Sequence, residues 1–179
     1  EDEHIRRYVH MATGNYNHTT AQLYEDIGFF TSDDEIGADA TDLFNYLTGY
    51  SSKENYRKLM VAPVQLREKF RELICKEMAH QQKHGDGRII LKMNGLVDAD
   101  IIRLLYRASQ AGVKIDLIVR SICCLRPGVE GLSDNIRVIS VLGRFLEHSR
   151  IYYFYNHGNE IVLMGSADLM PRNLNQRVE

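Results

Sequence analysis

The residue types best suited to chemistry in this chain are a histidine and an arginine two positions apart, His148 and Arg150. An imidazole can take or give a proton near neutral pH, and a guanidinium binds phosphoryl oxygens in a fork. If a β-strand begins at His148, both side chains project from one face, because side chains alternate along a strand. The pair therefore predicts a site that handles phosphate.

A turn of small residues, Gly165-Ser166-Ala167-Asp168, follows a short hydrophobic stretch. Such a turn can bring backbone N–H groups and a hydroxyl to one anion. A partial second copy, Ala12-Thr13-Gly14-Asn15, follows the strand-like residues 5–10. Two strand-then-turn units predict a duplicated architecture with the chemistry at its junction. The alternative is that His148 is an ordinary core or surface histidine, since H-x-R is a common sequence.

Hydrophobic periodicity predicts an α/β chain in two units that meet near Lys58, residues 1–58 and 59–179. In the first unit we expect a strand over residues 4–11 and one or two helical turns over residues 19–26. Ser32, with Glu35 three residues on, has the pattern of a capping box that opens a helix ending near Gly49. The second unit alternates, and its predicted elements are helices over residues 65–84 and 98–110 and strands over residues 88–93, 114–119, 137–141, 150–155 and 160–164.

Composition limits the functional classes open to this chain of 179 residues. Its net charge of −2 and pI near 6.4 argue against a general nucleic-acid binder. The three cysteines have no ligand spacing and no paired framework, so we expect reduced thiols and a cytoplasmic location. No apolar run approaches the roughly 18 residues of a membrane span, although association of a longer parent protein with a membrane stays open.

Several segments in order along the whole chain resemble the long form of bacterial polyphosphate kinase, whose C-terminal domains are phospholipase D-like. These segments are residues 8–17, 43–50, 89–94, 108–113, 117–128, 143–150 and 165–173. The resemblance implies an α/β fold of phospholipase D-like mixed sheets flanked by helices: the C-terminal part of one such domain and most of a second. Two positions depart from the family pattern, since Ala12 replaces a usual glycine and Leu169 a usual tryptophan.

The resemblance also implies an activity. Members of the family transfer the terminal phosphoryl group of ATP to inorganic polyphosphate, reversibly, through a phosphohistidine and with Mg²⁺. The phosphorylated histidine and the Mg²⁺ ligands would lie upstream of Glu1, so we expect a fragment that is inactive by itself, holds no metal and belongs to a homo-oligomer. Its expected partners are ATP or ADP and polyphosphate, with no nucleic acid.

The resemblance assigns roles to individual residues of this chain. His148 matches a second essential histidine that acts in catalysis and binds ATP, Tyr24 matches a tyrosine that stacks on adenine, and Arg120 matches a contact to the nucleotide phosphates. Arg120 also ends a predicted strand, where ligands of α/β sheets gather. Further phosphate or polyphosphate contacts are predicted at Asn15, Arg150, Ser166, Asp168 and Arg172, with Asp26 as another polar candidate. From the residues alone, each arginine could equally be a solvated or ion-paired side chain, and Tyr24 a packing residue.

Other functions stay open at the level of the sequence. A phospholipase D-like phosphodiesterase or nuclease would normally carry lysine at position 150. It would also lack the Leu-Ile-Val-Arg-Ser-Ile-Cys-Cys segment found here at residues 117–124. A nucleotide-binding piece without activity is a third candidate. The absence of a G-x-x-x-x-G-K-S/T motif disfavours an ordinary P-loop kinase.

Overall fold

A computed structural model describes residues 6–52 and 55–179 of the chain. Over its described residues, the first unit contains two helices and three short strands. They are β1 (Val9–Ala12), α1 (His18–Ala21), β2 (Tyr24–Glu25), β3 (Gly28–Thr31) and α2 (Asp34–Leu47). Strands β1 and β3 pair in antiparallel fashion. Within the described residues, no helix is both long enough and apolar enough to cross a membrane.

The second unit is a five-stranded mixed sheet covered by helices. Its elements are α3 (Leu66–His84), β4 (Arg88–Met93), α4 (Ala99–Gln110), β5 (Lys114–Val119), β6 (Ile136–Ile139), β7 (Leu146–Glu147), β8 (Arg150–Phe154), β9 (Ile161–Gly165) and α5 (Pro171–Asn175). The sheet order is β6-β5-β4-β8-β9. Strands β4, β5 and β6 are parallel, whereas β8 and β9 are antiparallel to their neighbours. The short strand β7 lies outside this sheet and pairs in parallel with β2.

The central strands of the sheet form where buried and more exposed side chains alternate along the sequence. Every second residue of β4 and β5 is buried, so one face of each strand packs into the core. Helix α4 buries the side of its surface that carries Ile101, Leu104, Leu105 and Ala108, as its helical spacing predicts. Helix α3 contributes Phe70, whose ring packs edge-on against Tyr152 with 4.8 Å between centroids. Leu169, at the usual tryptophan position, is fully buried in the same core.

The predicted elements of the second unit are confirmed to within a few residues, but several predictions elsewhere are wrong. The first strand is shorter than predicted, since residues 6–8 are not in it, while residues 4–5 lie outside the described residues. The predicted helical turns at 19–26 end at Ala21, because Tyr24 and Glu25 pair with β7. Asp33, not Ser32, caps α2, and its side chain accepts a hydrogen bond from the N–H of Ile36.

Strand β8 begins at Arg150, as predicted, and does not include His148, so the condition for a shared strand face is not met. His148 lies between β7 and β8, where its backbone N–H and that of Ser149 both donate to the carbonyl of Glu25. The bonds to Glu25 extend the pairing of β2 with β7, so they hold His148 against the first unit. The face-sharing that was predicted from strand alternation therefore does not apply.

The topology gathers polar residues at one edge of the large sheet. Met93 and Val119 are paired at the ends of parallel strands β4 and β5, so Asn94 and Arg120 emerge side by side. Strand β8 runs the opposite way, with Lys92 paired to Ile151, so Arg150 starts at the same edge. Because carboxyl ends of parallel strands are where ligands bind in α/β sheets, this edge is the expected place for a site.

A buried carboxylate connects α2 to the segment that leads into the second unit. Asp39 is fully buried and accepts hydrogen bonds from the backbone N–H groups of Arg57, Lys58 and Leu59, as well as from the Arg57 guanidinium. Burial by itself raises the pKa of Asp39, but these hydrogen bonds outweigh it and the net pKa is lowered. The ionised carboxylate therefore stabilises the path of the chain near the predicted boundary at Lys58.

We expect Asp39→Asn to reduce the free energy of unfolding of this chain by about 1.5–3 kcal/mol, the range for hydrogen bonds to a charged group. Because the folded pKa lies below the unfolded value of about 3.9, the stabilisation is present above that value and is lost as the pH falls through the folded pKa. Urea denaturation of both proteins between pH 7 and pH 3 tests this. Asp42→Asn, which removes a partly exposed partner of Arg57, is the control and should change stability less. Equal losses in the two variants would contradict the expectation.

Candidate active site

His148 lies at the junction of the two units and is held by a carboxylate from the first. Its Nδ1 is 2.9 Å and 3.1 Å from the two carboxylate oxygens of Asp26. The residue is only 9% exposed. Since an ionised carboxylate only accepts hydrogen bonds, Nδ1 carries the proton of the neutral imidazole and Nε2 keeps its lone pair.

Arg150 packs against the same imidazole and is itself held by Asp168. Its Nη1 lies 3.1 Å and 3.0 Å from the two ring nitrogens of His148 and donates to the carbonyl oxygens of Thr13 and His148 at 3.1 Å and 2.9 Å. Its Nη2 and Nε bind the two carboxylate oxygens of Asp168 at 3.1 Å and 3.3 Å. Arg150 and Asp168 are thus a buried pair that supports His148. Their predicted contacts with phosphate stay a prediction.

The surroundings favour the neutral form of the His148 imidazole. Burial lowers the pKa of His148, and the positive charges of Arg150 and Arg120 lower it further. The hydrogen bond and the negative charge of Asp26 raise it and only partly offset these effects. At neutral pH the ring is therefore suited to accept a proton at Nε2.

Tyr24 and Arg120, the two predicted nucleotide contacts, both lie beside His148. The ring of Tyr24 packs on the imidazole with 4.6 Å between centroids and 45° between planes. Arg120 follows β5, and its Nε donates to the side-chain oxygen of Asn94 at 2.8 Å. The amide nitrogen of Asn94 in turn lies 3.3 Å from the carbonyl oxygen of His148.

The first small-residue turn fixes the position of the Asp26 carboxylate. Thr13 is 1% exposed, and its hydroxyl donates to Asp26 Oδ1 at 2.8 Å while accepting from the backbone N–H of Ile27 at 3.0 Å. A Cβ on Gly14 would lie 2.1 Å from Asp26 Oδ2, so only glycine leaves room for the carboxylate. The resulting chain of contacts runs from Thr13 through Asp26 to His148.

The second turn contains a matching pair. The hydroxyl of Ser166 donates to Glu179 Oε2, and the amide of Asn173 donates to Glu179 Oε1, both at 2.5 Å. Thr13 and Asp26 are 13 residues apart, and so are Ser166 and Glu179. The duplication predicted from the two turns is therefore visible as two hydroxyl–carboxylate pairs. The hydroxyl of Ser166 is used in its hydrogen bond to Glu179, and the phosphate contact predicted for Ser166 stays a prediction.

The structure brings together some of the predicted site residues but not all. His148, Tyr24, Arg120, Arg150 and Asp168 form one connected group, whereas Asn15 and Arg172 are exposed, Asn15 before α1 and Arg172 in α5. The phosphate contacts predicted for those two stay predictions.

Asn94 and Glu179 were not predicted from the sequence as site residues, and Thr13 was predicted only as part of the first turn. The equal 13-residue spacings were the available signal for Thr13 and Glu179. No motif or spacing in the neighbouring sequence indicates a role for Asn94.

No cluster of three or more histidine, cysteine, aspartate or glutamate side chains is arranged to hold a metal ion in the part of the chain that the structure describes. Asp26 is occupied by His148 and Thr13, and Asp168 by Arg150 and the N–H of Asn94. Mg²⁺ prefers free oxygen ligands in octahedral geometry. These residues therefore do not form a magnesium site by themselves.

Two family models match the chain: Polyphosphate kinase C-terminal domain 1 over residues 1–53 and Polyphosphate kinase C-terminal domain 2 over residues 59–179. A polyphosphate kinase of Synechocystis sp. is 62% identical over the whole chain, and one of Bacillus cereus is 55% identical over 98% of it; each match covers 25% of the relative. The crystal structure of polyphosphate kinase from Porphyromonas gingivalis matches with a TM-score of 0.93 and 43% identity, over 99% of this chain and 27% of that one.

The mixed sheets, the flanking helices and the close structural match define a phospholipase D-like α/β protein, as the resemblance implied. The matches extend across both units rather than over one motif. The chain belongs to the polyphosphate kinase family. It spans about a quarter of the length of the curated relatives it matches. The predicted boundary at Lys58 stays a prediction.

We expect Asp26→Asn to lower the pKa of His148, because the variant removes the carboxylate that favours the charged imidazole. Arg120→Gln should raise the same pKa, because it removes a positive charge. An NMR titration of the imidazole resonances of this chain measures both shifts. Asp116→Asn, which removes a carboxylate paired with Arg137, is the matched control and should leave the titration of His148 in place. Shifts of the same sign in Asp26→Asn and Arg120→Gln would refute this account of the site.

Proposed function

We propose that this chain is part of a polyphosphate kinase that transfers the terminal phosphoryl group of ATP to inorganic polyphosphate, reversibly, through a phosphohistidine. Membership of the family and relatives that are named polyphosphate kinase support the proposal. The observation that carries it is the buried His148–Asp26 pair at the junction, with Arg120 and Tyr24 beside it. Phosphoryl transfer depends on positioning and charge stabilisation, which such a group supplies.

His148 acts as the general base and acid in this proposal. The neutral ring takes a proton at Nε2 from an oxygen of the terminal phosphate of polyphosphate as that oxygen attacks, and in the reverse direction it returns the proton to the same oxygen as it leaves. Asp26 holds Nδ1–H and stabilises the imidazolium that forms. Because the pKa of His148 is lowered, the ring gives up the proton readily after it has taken it. The nearby charge of Arg150 also favours negative phosphoryl oxygens at this place.

Arg120 and Tyr24 bind the nucleotide. The bond from Arg120 to Asn94 uses Nε, so the two Nη groups can grip a β- or γ-phosphate in a fork. Tyr24 offers a flat aromatic face to adenine, next to the ring that handles the proton. The two contacts together would orient the terminal phosphate toward His148.

Glu179 is the proposed partner of the phosphorylated histidine. Asp26, fixed by a hydroxyl 13 residues earlier, holds His148; Glu179 is fixed in the same way by Ser166. In a duplicated site the second carboxylate would hold a second imidazole. We place that imidazole outside this chain, in agreement with the position that the family resemblance implies.

The remaining parts of the proposal concern the whole protein. Mg²⁺, when bound, would neutralise charge on the phosphates, with ligands outside this chain. The parent protein would be a cytoplasmic homo-oligomer whose association with a membrane surface stays open. Its substrates would be ATP or ADP and polyphosphate, with no nucleic acid.

We expect the His148→Gln variant to synthesise polyphosphate about 10²–10⁴-fold more slowly, the usual contribution of general acid–base catalysis. The assay uses a chimera in which this chain replaces the matching quarter of the Synechocystis sp. polyphosphate kinase. Growth of labelled polymer from ATP, with acid-labile phosphate on the protein, is the readout. His18→Gln changes an exposed histidine and is the matched control. Undiminished synthesis by His148→Gln, or cleavage of a phosphodiester without polymer growth by the unsubstituted chimera, would exclude the proposal.

We expect Tyr24→Leu to weaken ATP binding to the chimera by about 1–3 kcal/mol, the value of stacking a base on an aromatic ring. Tyr24→Phe keeps the aromatic face and should bind ATP nearly as well. Calorimetric titration with ATP compares the two variants, and inorganic triphosphate provides a ligand without a base. If Tyr24→Leu weakened ATP and triphosphate equally, Tyr24 would act by packing on His148 and not by stacking on adenine.

A further inference from the structure

Asn94 is the first residue after β4, the central strand of the large sheet, and it is 7% exposed. One neighbouring strand, β5, leads to Arg120, and the other, β8, follows His148. The side chain of Asn94 therefore stands between the proposed phosphate contact and the proposed general base.

Each polar atom of Asn94 has a partner. Its backbone N–H donates to Asp168 Oδ1 at 2.7 Å, and its carbonyl accepts from the N–H of Ser121 at 2.9 Å. The side-chain oxygen accepts from Arg120 Nε at 2.8 Å, and the side-chain nitrogen donates to the carbonyl of His148 at 3.3 Å. A buried amide with all its groups in use has one favourable orientation.

The chemistry of the partners determines which end of the amide faces which residue. A guanidinium N–H can only donate, so the amide oxygen must face Arg120. A backbone carbonyl can only accept, so the amide nitrogen must face His148. Rotating the amide by half a turn would place two donors together and two acceptors together. The side-chain amide of Asn94 can therefore bond to both residues in one orientation only, with its oxygen toward Arg120 and its nitrogen toward His148.

We propose that Asn94 is a positioning residue that sets the distance between the guanidinium of Arg120 and the imidazole of His148 during phosphoryl transfer. This inference rests on the proposed function, in which Arg120 grips the nucleotide phosphate and His148 handles the proton. The bond at Nε restrains the rotation of the guanidinium and directs its Nη groups. The bond to the carbonyl of His148 restrains the backbone that carries the imidazole.

The restraint on Arg120 has no evident substitute within the part of the chain that the structure describes, whereas the carbonyl of His148 also accepts a hydrogen bond from Arg150 Nη1 at 2.9 Å. Arg120 makes its side-chain hydrogen bond to Asn94, and its own backbone groups bond to Met93 and Ser140. Loss of the Asn94 amide would therefore remove the hydrogen bond that restrains the Arg120 guanidinium and leave only the backbone bonds of Arg120 in place. A displacement of about 1 Å in a reacting group can slow catalysis by about 10²-fold.

The first measurement uses this chain and does not depend on its activity. With ¹⁵N at the arginine Nε positions, NMR reports the rate at which each Nε–H exchanges with water. We expect Asn94→Ala to speed exchange at Arg120 about tenfold or more, since it removes a charge-assisted hydrogen bond. Arg67 is the matched control, because its Nε donates to the side-chain oxygen of Asn175 at 2.9 Å. Asn175→Ala should speed exchange at Arg67 and leave Arg120 unchanged.

The second measurement is the kcat/KM for ATP of the Synechocystis chimera. Asn94→Ala should lower it about 10–100-fold, whereas Asn175→Ala should leave it unchanged. If Asn94 acts through Arg120, its substitution should cost less than about threefold once Arg120→Met is already present. A purely structural role would cost the same factor in both backgrounds, and that result would overturn the proposal.

Asn94→Asp keeps the proposal testable if Asn94→Ala does not fold. The carboxylate still accepts from Arg120 but turns an oxygen toward the carbonyl of His148, where two acceptors repel. Slow exchange at Arg120 together with a lowered kcat/KM supports the proposal, and an unchanged kcat/KM overturns it. If the unsubstituted chimera makes no polymer, the proposed function fails, while the exchange of Arg120 Nε–H still decides whether Asn94 restrains that side chain.

Discussion

The contact between Asp26 and the imidazole of His148 joins residues 122 positions apart and connects the two units of this chain. A buried imidazole and a buried carboxylate each lose hydration, so each needs a partner at the place where it is buried. Thr13 supplies a second hydrogen bond to Asp26, and Gly14 leaves the space that the carboxylate occupies. The first unit therefore supplies and fixes the carboxylate that holds the imidazole of His148.

The mixed direction of the strands determines what surrounds this contact. Parallel strands β4 and β5 deliver Asn94 and Arg120 to one edge, and antiparallel β8 starts at that same edge with Arg150. Asp168 returns from the end of β9 to neutralise Arg150 and to bind the backbone of Asn94. The buried guanidinium of Arg150 is thus paired with the carboxylate of Asp168, so its positive charge is held near His148 without being left unpaired.

Periodicity predicted the second unit well because its elements are long and have one apolar face. The 19-residue helix α3 and the alternating strands β4 and β5 follow rules that depend on neighbouring residues only. The first unit was predicted less well, since its strands have two to four residues. Strand β2 exists because Tyr24 and Glu25 pair with β7, more than 120 residues later, and no local pattern contains that information.

The sequence by itself determined the family and the helices and strands of the second unit, because these depend on ordered motifs and on local periodicity, and it predicted roles for His148, Arg120 and Tyr24. Only the tertiary structure decided that Asp26 is the partner of His148 and that Arg150 and Asp168 form a buried pair. It also decided that the amide of Asn94, just after the central strand, lies between Arg120 and His148. Hydrogen-bond partners separated by tens of residues are chosen by strand order and burial, which a linear pattern does not contain.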